Sequence, residues 1–438
     1  MSRPQLHFTP RDHWMNDPNG LIYFNGEYHL FYQYFPYENA WGTMHWGHSV
    51  STDLVHWKDL GIALYPSKPY DRNGVFSGSA IEIDHQMVLY YTGVIYTAYK
   101  GDDIHRQGPD AFEACQVMLT SKDGYHFDNQ QKHIVVPTFA DDDPIGHRVH
   151  TRDPKVWKQD DRYYMILGSK FLQPGHTKTT GQVLIYESLD GQQWTYCTRA
   201  YDDTIGTMWE CLDYFSLDQQ GILIFSPEHI YKEEYNSVNM WTKATFDPHS
   251  QTMQIDPEIQ LLDYGRDLYA SQTALDEQGR RFMISWMRMP LPDQDQEWIG
   301  MMAYPRLVSY HDQTLYTTVH PHIDELFTQP TTTFSSREAR KLLVTLQDGQ
   351  SINIGGLVLT YQNDHLLSDR TQVFPQNQIG TRFETPTLNG KCELAIYTDQ
   401  YITEIYVNSG RYVLSQIVYG QHDTIISQVA YQMFKIGA

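Results

Sequence analysis

A repeat of strand-like segments constrains the fold of this chain more than any other feature of its sequence. Its period is roughly sixty to seventy residues, and in each copy a polar turn leads into an aromatic or β-branched run. The five runs are NGEYHLFYQY from Asn25, DHQMVLYYTG from Asp84, DDRYYMILGS from Asp160, QQGILIFSPE from Gln219 and QGRRFMISWM from Gln278. Another strand candidate precedes each run, so every copy is expected to supply at least two neighbouring strands. These first strands are GLIYF at 20–24, FSGSAIEI from Phe76, RDPKVWK from Arg152, ECLDYFSL from Glu210 and LYASQTAL from Leu268.

A further mark, Ser-x-Asp-x-x-x-aromatic, follows the strand pair in three copies and ends at Trp57, Phe127 and Trp194. Repeated antiparallel units with short turns are typical of a β-propeller, because each sheet buries its faces against its neighbours. Gly, Pro, Asn and Asp interrupt nearly every candidate helical window, which disfavours a helical solenoid. The sequence therefore predicts an all-β protein whose first domain, residues 1–328, is a five-bladed β-propeller. An irregular β-sandwich is the alternative.

The repeat stops near Pro330, and the pattern of the chain changes. Residues beyond this point alternate short strand candidates with the turns Asn389-Gly390 and Ser409-Gly410, and this pattern favours a β-sandwich. We therefore expect a second domain, a C-terminal β-sandwich, at residues 329–438.

Charge and aromatic content narrow the kinds of partner. The chain has 53 acidic against 32 basic residues, a formal net charge of −21, which repels polyphosphate and anionic lipid. Nucleic acid and membrane are therefore not expected as partners, and the sequence does not indicate an oligomeric state. Aromatic residues make up 14% of the chain, and their rings can fill β-cores or stack on the apolar faces of sugars.

The termini and cysteines indicate a cytoplasmic protein. The first residues, MSRPQLHFTPRDHW, contain no apolar run of the length found in a signal peptide, and no apolar stretch approaches a membrane span. The cysteines lack CxxC spacing, so neither a zinc knuckle nor a disulfide framework is expected. They are Cys115, Cys197, Cys211 and Cys392.

Three acidic residues, Asp17, Asp153 and Glu210, stand at the start of first strands in copies one, three and four. The innermost strand of each propeller blade lines the central channel, so these side chains are expected to converge on one mouth. Cleavage of a sugar acetal needs a protonated acid at the leaving oxygen and a carboxylate at the anomeric centre. Mutual repulsion would raise the pKa of one acid, and Glu210 is the candidate proton donor.

Each acid also has a purely structural interpretation. Asp beside Pro most often forms a turn, as Asp17 could. Arg152 and Asp153 could form a local ion pair of little energetic value. Glu210 and Cys211 could be a strand end with a buried thiol.

The motifs around these acids resemble those of glycoside hydrolase family 32, the invertase and fructanase family. WMNDPNGL at 14–21 resembles the family's nucleophile motif, TRDP at 151–154 its transition-state-stabilising motif, and WEC at 209–211 its acid/base motif. The resemblance runs through the whole chain. Further matching segments are HWGHSVSTDLVHW from His45, FSGSAI from Phe76, YYTG from Tyr90, DLYA from Asp267, GMMAYPRLVSY from Gly300 and TDQYITEIYVNSG from Thr398.

The resemblance implies a retaining β-fructofuranosidase that acts on terminal fructose in sucrose, sucrose 6-phosphate or short fructo-oligosaccharides. It implies that Asp17 is the nucleophile, that Glu210 is the acid/base and that Asp153 holds ring hydroxyls. It implies no metal and no organic cofactor. The residues that match pocket positions of the family are Asn16, Gln33, Trp41, Phe76, Ser77 and Arg152.

The sequence departs from the family's motifs at two places, and two other functions are compatible with its pattern. Leu212 replaces the Pro that commonly follows Glu-Cys, and Ala303-Tyr304-Pro305 replaces the usual Thr-Leu-Pro. The alternative functions are an inverting arabinanase-like propeller and a carbohydrate-binding propeller without catalysis. A phosphorylated substrate would need cations near the mouth, for which the candidates are His147, Arg148 and Lys170.

Overall fold

The computed structural model describes residues 3–230, 237–290, 296–374 and 380–437, and nearly all of its regular structure is β-strand. In the described part of residues 13–319, five antiparallel sheets follow one another along the chain, one for each repeat. The first sheet contains β1 (His13–Phe24), β2 (Glu27–Phe35), β3 (His45–Ser51) and β4 (Lys58–Leu64).

The second repeat adds a small hairpin to its sheet. Its strands in chain order are β5 (Gly74–Ile83), β6 (Gln86–Tyr96), β7 (Tyr99–Lys100), β8 (Asp103–Gln107), β9 (Phe112–Ser121) and β10 (His133–Val136). β7 and β8 pair only with each other among the described strands, whereas the other four form the sheet. A 3₁₀ turn at Asn129–Gln131 precedes β10.

The third to fifth sheets repeat the pattern. The third contains β11 (Thr151–Gln159), β12 (Arg162–Leu172), β13 (Thr179–Ser188) and β14 (Thr195–Tyr201). The fourth contains β15 (Met208–Leu217), β16 (Gln220–Glu228), β17 (Met240–Asp247), β18 (Thr252–Ile255) and β19 (Gln260–Leu261). The last segment includes β20 (Leu268–Leu275), β21 (Arg281–Met287), β22 (Trp298–Ile299), β23 (Met301–Met302), β24 (Arg306–His311) and β25 (Thr314–Val319).

The sheets pack in a circle. β22 belongs to the last segment of the repeat region but pairs in parallel with β1 of the first sheet, with Trp298 opposite His13. Apolar clusters join each sheet to the next and the fifth to the first, and these clusters exclude water from the faces of the sheets. Residues that share a cluster across successive sheets are Phe31 and Leu89, Val88 and Met165, Ile166 and Leu223, Ile224 and Met283, and Phe282 and Tyr28.

The first strand of each of these sheets carries a β-bulge, where two residues oppose a single residue of the next strand. A bulge bends a strand and redirects its side chains. The bulged pairs are Asn16-Asp17, Phe76-Ser77, Asp153-Pro154, Cys211-Leu212 and Ala270-Ser271. Asp17 was expected to open the first strand, but β1 starts at His13 and Asp17 lies inside it. The strand is longer than predicted because the bulge lets pairing continue past Pro18.

The Ser-x-Asp mark forms a closed turn. Ser51 donates to Oδ1 of Asp53 at 3.0 Å, and the same oxygen accepts from the backbone of Val55 and His56. Ser121 with Asp123 and Ser188 with Asp190 form the same hydroxyl bond. The repeated residues therefore satisfy the polar backbone groups at the end of a strand.

Residues after 320 form two sheets around a separate apolar core, following the short helix α1 (Pro321–Asp324). The described strands of one sheet are β26 (Gln329–Pro330), β27 (Arg340–Thr345), β32 (Glu393–Asp399), β33 (Ile402–Val407), β34 (Tyr412–Ile417) and β36 (Tyr431–Lys435). Those of the other are β28 (Ser351–Ile354), β29 (Leu357–Gln362), β30 (His365–Asp369), β31 (Arg382–Glu384) and β35 (Ile425–Ser427). No helix in the described ranges is long and apolar enough to cross a membrane.

Candidate active site

A cavity of about 630 Å³ opens where the five first strands converge. Each of these strands contributes at least one side chain beside its bulge, including Tyr269 from β20. All nine residues predicted from the sequence line this cavity: Asp17, Asp153, Glu210, Asn16, Gln33, Trp41, Phe76, Ser77 and Arg152. Whole-period spacing thus brings together side chains that are distant in sequence.

Asp17 lines the cavity where the first and second sheets meet. Its Oδ2 accepts a hydrogen bond of 2.6 Å from the Ser77 hydroxyl, and its Oδ1 accepts one of 3.1 Å from Asn16. Trp14 donates to the Asn16 amide oxygen at 2.7 Å and so orients that amide toward Asp17. Burial raises the pKa of Asp17, the bond from Ser77 opposes this, and the nearby charge of Glu210 raises the pKa further.

Asp153 sits at the bulge of β11 with a left-handed φ of 63°. Its backbone N–H donates to Thr92 at 2.9 Å, and its Oδ2 accepts from the backbone N–H of Cys211 at 3.0 Å. These bonds hold a backbone conformation that costs energy for a residue with a side chain. Burial raises the pKa of Asp153 to about 7, against the opposing charge of Arg152.

The Cys211 thiol lies between two of the acids. Its Sγ is 3.5 Å from Oδ2 of Asp17 and 3.7 Å from Oδ2 of Asp153. Burial, followed by the neighbouring carboxylates, raises the pKa of this thiol well above its usual value. Cys211 is therefore a neutral, weak hydrogen-bond donor between Asp17 and Asp153.

Two donors hold Glu210. Arg152 contacts its Oε1 from Nε at 3.0 Å and from Nη2 at 2.6 Å, while the Tyr269 hydroxyl donates to Oε2 at 2.6 Å. Arg152 also donates to Glu228 at 3.3 Å, and burial together with the charge of Glu210 raises the pKa of Glu228 to about 7. Both oxygens of Glu210 are thus fixed in direction.

His150 extends this network toward the mouth. Arg152 can only donate, so its 3.2 Å contact requires His150 Nδ1 to accept, and the other ring nitrogen carries the proton. That nitrogen donates to Asp110 at 2.7 Å. Burial lowers the pKa of His150 to about 3, so the ring is neutral near pH 7.

Aromatic rings form one side of the cavity. The Trp41 and Phe76 rings meet edge to face at 5.6 Å, and Gln33 donates to the backbone oxygen of Val75 at 3.0 Å. Arg106, on β8, donates to the backbone oxygen of Trp41 at 2.9 Å and ties the β7–β8 hairpin to this side. Rings beside directed polar groups match the alternating apolar and hydroxylated faces of a sugar.

Glu228, Tyr269, Asp110 and His150 were not singled out by the sequence analysis. Glu228 ends the fourth repeat run and Tyr269 belongs to the DLYA segment, whereas no local sequence pattern marks Asp110 and His150. Of the candidate cations, Lys170 lines the cavity. Arg148 pairs with Glu113 and Asp141, and the backbone N–H groups of Val149 and His150 donate to the His147 ring.

The arrangement suits acid–base chemistry at a glycosidic bond. It places several carboxylates, with different hydrogen-bond partners, around one cavity of about 630 Å³. Within the described residues, no cluster of His, Cys, Asp or Glu is arranged to hold a metal ion.

Two family models match the chain. The glycosyl hydrolases family 32 N-terminal domain matches residues 7–320, and the glycosyl hydrolases family 32 C-terminal model matches residues 328–433. Together they span most of the sequence.

Individual proteins agree with the family models. The chain is 34% identical to a sucrose-6-phosphate hydrolase of Zymomonas mobilis, over 96% of this chain and 88% of that protein. It matches the structure of a sucrose-6-phosphate hydrolase from Lactobacillus gasseri with a TM-score of 0.84 and 26% identity, over 99% and 93% of the two chains. A mutant of a Bombyx mori β-fructofuranosidase in complex with sucrose matches with a TM-score of 0.83 and 25% identity, over 99% and 94%.

Proposed function

This chain belongs to glycosyl hydrolase family 32 and is a β-fructofuranosidase for sucrose-type substrates, and we propose that Asp17 and Glu210 catalyse a double displacement with retention. The observation that carries this proposal is that Asp17, on β1, and Glu210, on β15, line one cavity from different sheets. Asp17 accepts hydrogen bonds from Ser77 and Asn16, which favour an ionised nucleophile. Arg152 and Tyr269 orient the two carboxylate oxygens of Glu210.

In the first step Asp17 attacks C2 of the fructosyl unit. The bond from C2 to the leaving oxygen breaks, and Glu210 gives its proton to that oxygen. An ester between Asp17 and fructose results. In the second step Glu210 removes a proton from water, the water oxygen bonds to C2, and the ester breaks to restore the Asp17 carboxylate.

Asp153 and its neighbours bind the fructosyl ring in this proposal. Asp153 reaches the cavity from the third sheet, and a buried carboxyl group can hold sugar hydroxyls whether it is ionised or protonated. The residues that shape the remaining wall of the fructose pocket are Asn16, Gln33, Trp41, Phe76, Ser77 and Arg152.

We propose that the five sheets are the blades of a five-bladed propeller, residues 1–328, and that residues 329–438 form a β-sandwich. The circular packing and the separate core after residue 320 support this division. We also propose a cytoplasmic location, which the free thiols Cys115, Cys197, Cys211 and Cys392 favour.

The anomeric outcome tests the proposed mechanism. NMR of early sucrose hydrolysis should show β-fructose as the first-formed product, because two displacements restore the starting configuration. First-formed α-fructose would contradict double displacement. Relatives named sucrose-6-phosphate hydrolase make sucrose 6-phosphate the substrate to compare with sucrose.

A further inference from the structure

Lys170 places an ammonium group in the wall of the cavity. It lies on β12, and its backbone N–H donates to the backbone oxygen of His150 at 3.0 Å. Its side chain is partly buried and lines the same cavity as Glu210 and Glu228. Burial lowers the pKa of Lys170, and the charges of Asp110, Glu228 and Glu210 act in the opposite direction.

Two other basic residues that line the cavity, Arg152 and His150, already have partners. Arg152 is bonded to Glu210 and Glu228, and the neutral His150 ring is bonded to Arg152 and Asp110. Across the described ranges, no carboxylate lies within ion-pairing distance of the Lys170 ammonium. A partly desolvated charge without a partner is unfavourable, so an anion that enters the cavity would relieve this cost.

The position of Lys170 relative to Glu210 indicates which part of a substrate it meets. Glu210 protonates the leaving oxygen in the proposed function, so the leaving hexose must lie on the Glu210 side of the cavity. Lys170 is bonded through its backbone N–H to His150, and the His150 ring contacts Arg152, which donates to Glu210. Because Lys170 and Glu210 line the same cavity, a leaving hexose bound beside Glu210 would bring its phosphate toward this ammonium.

We propose that Lys170 binds the phosphate of a phosphorylated leaving hexose and so selects sucrose 6-phosphate over sucrose. This inference rests on the proposed function. A dianionic substrate is repelled by a chain with a net charge of −21, so selection needs a local cation. An ammonium bonded to phosphate supplies a charge-assisted contact that a neutral glucosyl group cannot replace.

The test is the ratio of kcat/KM for sucrose 6-phosphate to that for sucrose. Lys170→Met should lower this ratio by about tenfold or more, the effect of one lost charge-assisted hydrogen bond, and Lys170→Arg should restore part of it. Lys158→Met is the matched control, because Lys158 is an exposed residue of the same sheet that contacts the Tyr163 ring. Lys100, an exposed residue of β7, also lines the cavity. Lys100→Met therefore tests whether this lysine, and not Lys170, binds the phosphate.

Product inhibition gives a readout that does not depend on turnover of the phosphorylated substrate. Glucose 6-phosphate should inhibit sucrose hydrolysis more strongly than glucose does, and Lys170→Met should remove most of that difference. An unchanged substrate ratio, an equal loss on both substrates, or a loss confined to Lys100→Met would overturn the assignment. Failure of the unaltered enzyme to hydrolyse either substrate would instead reject the proposed function.

Discussion

The Ser77 hydroxyl donates a 2.6 Å hydrogen bond to Oδ2 of Asp17, across the boundary between the first and second sheets. Both residues occupy the bulge of a first strand, so the same distortion in neighbouring repeats brings them together. The bond favours the ionised form of a carboxyl group whose pKa burial has raised. In the proposed mechanism, this ionised form is the nucleophile.

Replacing Ser77 by Ala should therefore alter the pH profile. Loss of the bond raises the pKa of Asp17 further, so as pH falls the carboxylate is protonated earlier and the acid limb of kcat/KM moves to higher pH. Within that limb, activity on sucrose should fall about tenfold, as expected for one charge-assisted bond. Ser79→Ala is the matched control, because Ser79 lies on the same strand but accepts from the backbone of Val156. An acid limb that stays in place would contradict this role for Ser77.

Glu210→Ala should affect substrates according to their leaving groups. With sucrose, kcat/KM should fall by about two to four orders of magnitude, because the departing oxygen needs a proton. With an activated aryl β-fructoside, the first step should change much less. Azide should then accelerate turnover by attacking the fructosyl-enzyme that has lost its general base. Equal losses on both substrates without azide rescue would remove Glu210 from the acid/base role.

The boundary between the propeller and sandwich segments contains a buried ionic network. Arg306 contacts Asp263 at 3.1 Å and Glu404 at 2.7 Å, and His7 reaches Glu404 and Asp399 at 3.0 Å each. These side chains are almost completely excluded from solvent. Removing one member of this network would therefore leave a buried charge uncompensated, which destabilises the folded protein.

Arg306→Met should destabilise the protein by about 3–5 kcal/mol, because it leaves buried carboxylates without their cation. The thermal midpoint should fall by several degrees, while the kcat of the enzyme that remains folded should change little, since Arg306 lies outside the cavity. Arg382→Met is the control, because the Arg382 side chain is 77% exposed in its pair with Asp369 and such pairs contribute less than about 1 kcal/mol. Equal midpoint shifts would contradict the importance of the network.

Local patterns in the sequence predicted most strands and the residues that line the cavity. The features that it did not predict depend on contacts between residues distant in sequence. Strand alternation located the repeats, and their spacing brought Asp17, Asp153 and Glu210 to one cavity, although their roles stay predictions. The left-handed φ of Asp153 depends on bonds to Thr92 and Cys211, which are distant in sequence.

Other contacts have no local signal at all. Tyr269 and Glu210 are 59 residues apart, and Arg306 and Glu404 are 98 apart. No periodicity specifies which Tyr or Arg reaches a given carboxylate, because such pairs form only when sheets pack. The starting point of β1 was also missed, because Pro18 and Gly20 indicated a turn where the structure has a bulged strand.

Covalent labelling identifies the nucleophile, which in the proposed mechanism is Asp17. Glu210→Ala enzyme should be mixed with an activated aryl β-fructoside, quenched in acid, digested and examined by peptide mass spectrometry, because a missing general base lets the ester accumulate. The peptide containing Asp17 should gain the mass of one fructosyl unit, and a second change, Asp17→Asn, should abolish this gain. A fructosyl adduct on Asp153, or the absence of any adduct while the aryl group is released, would contradict Asp17 as the nucleophile.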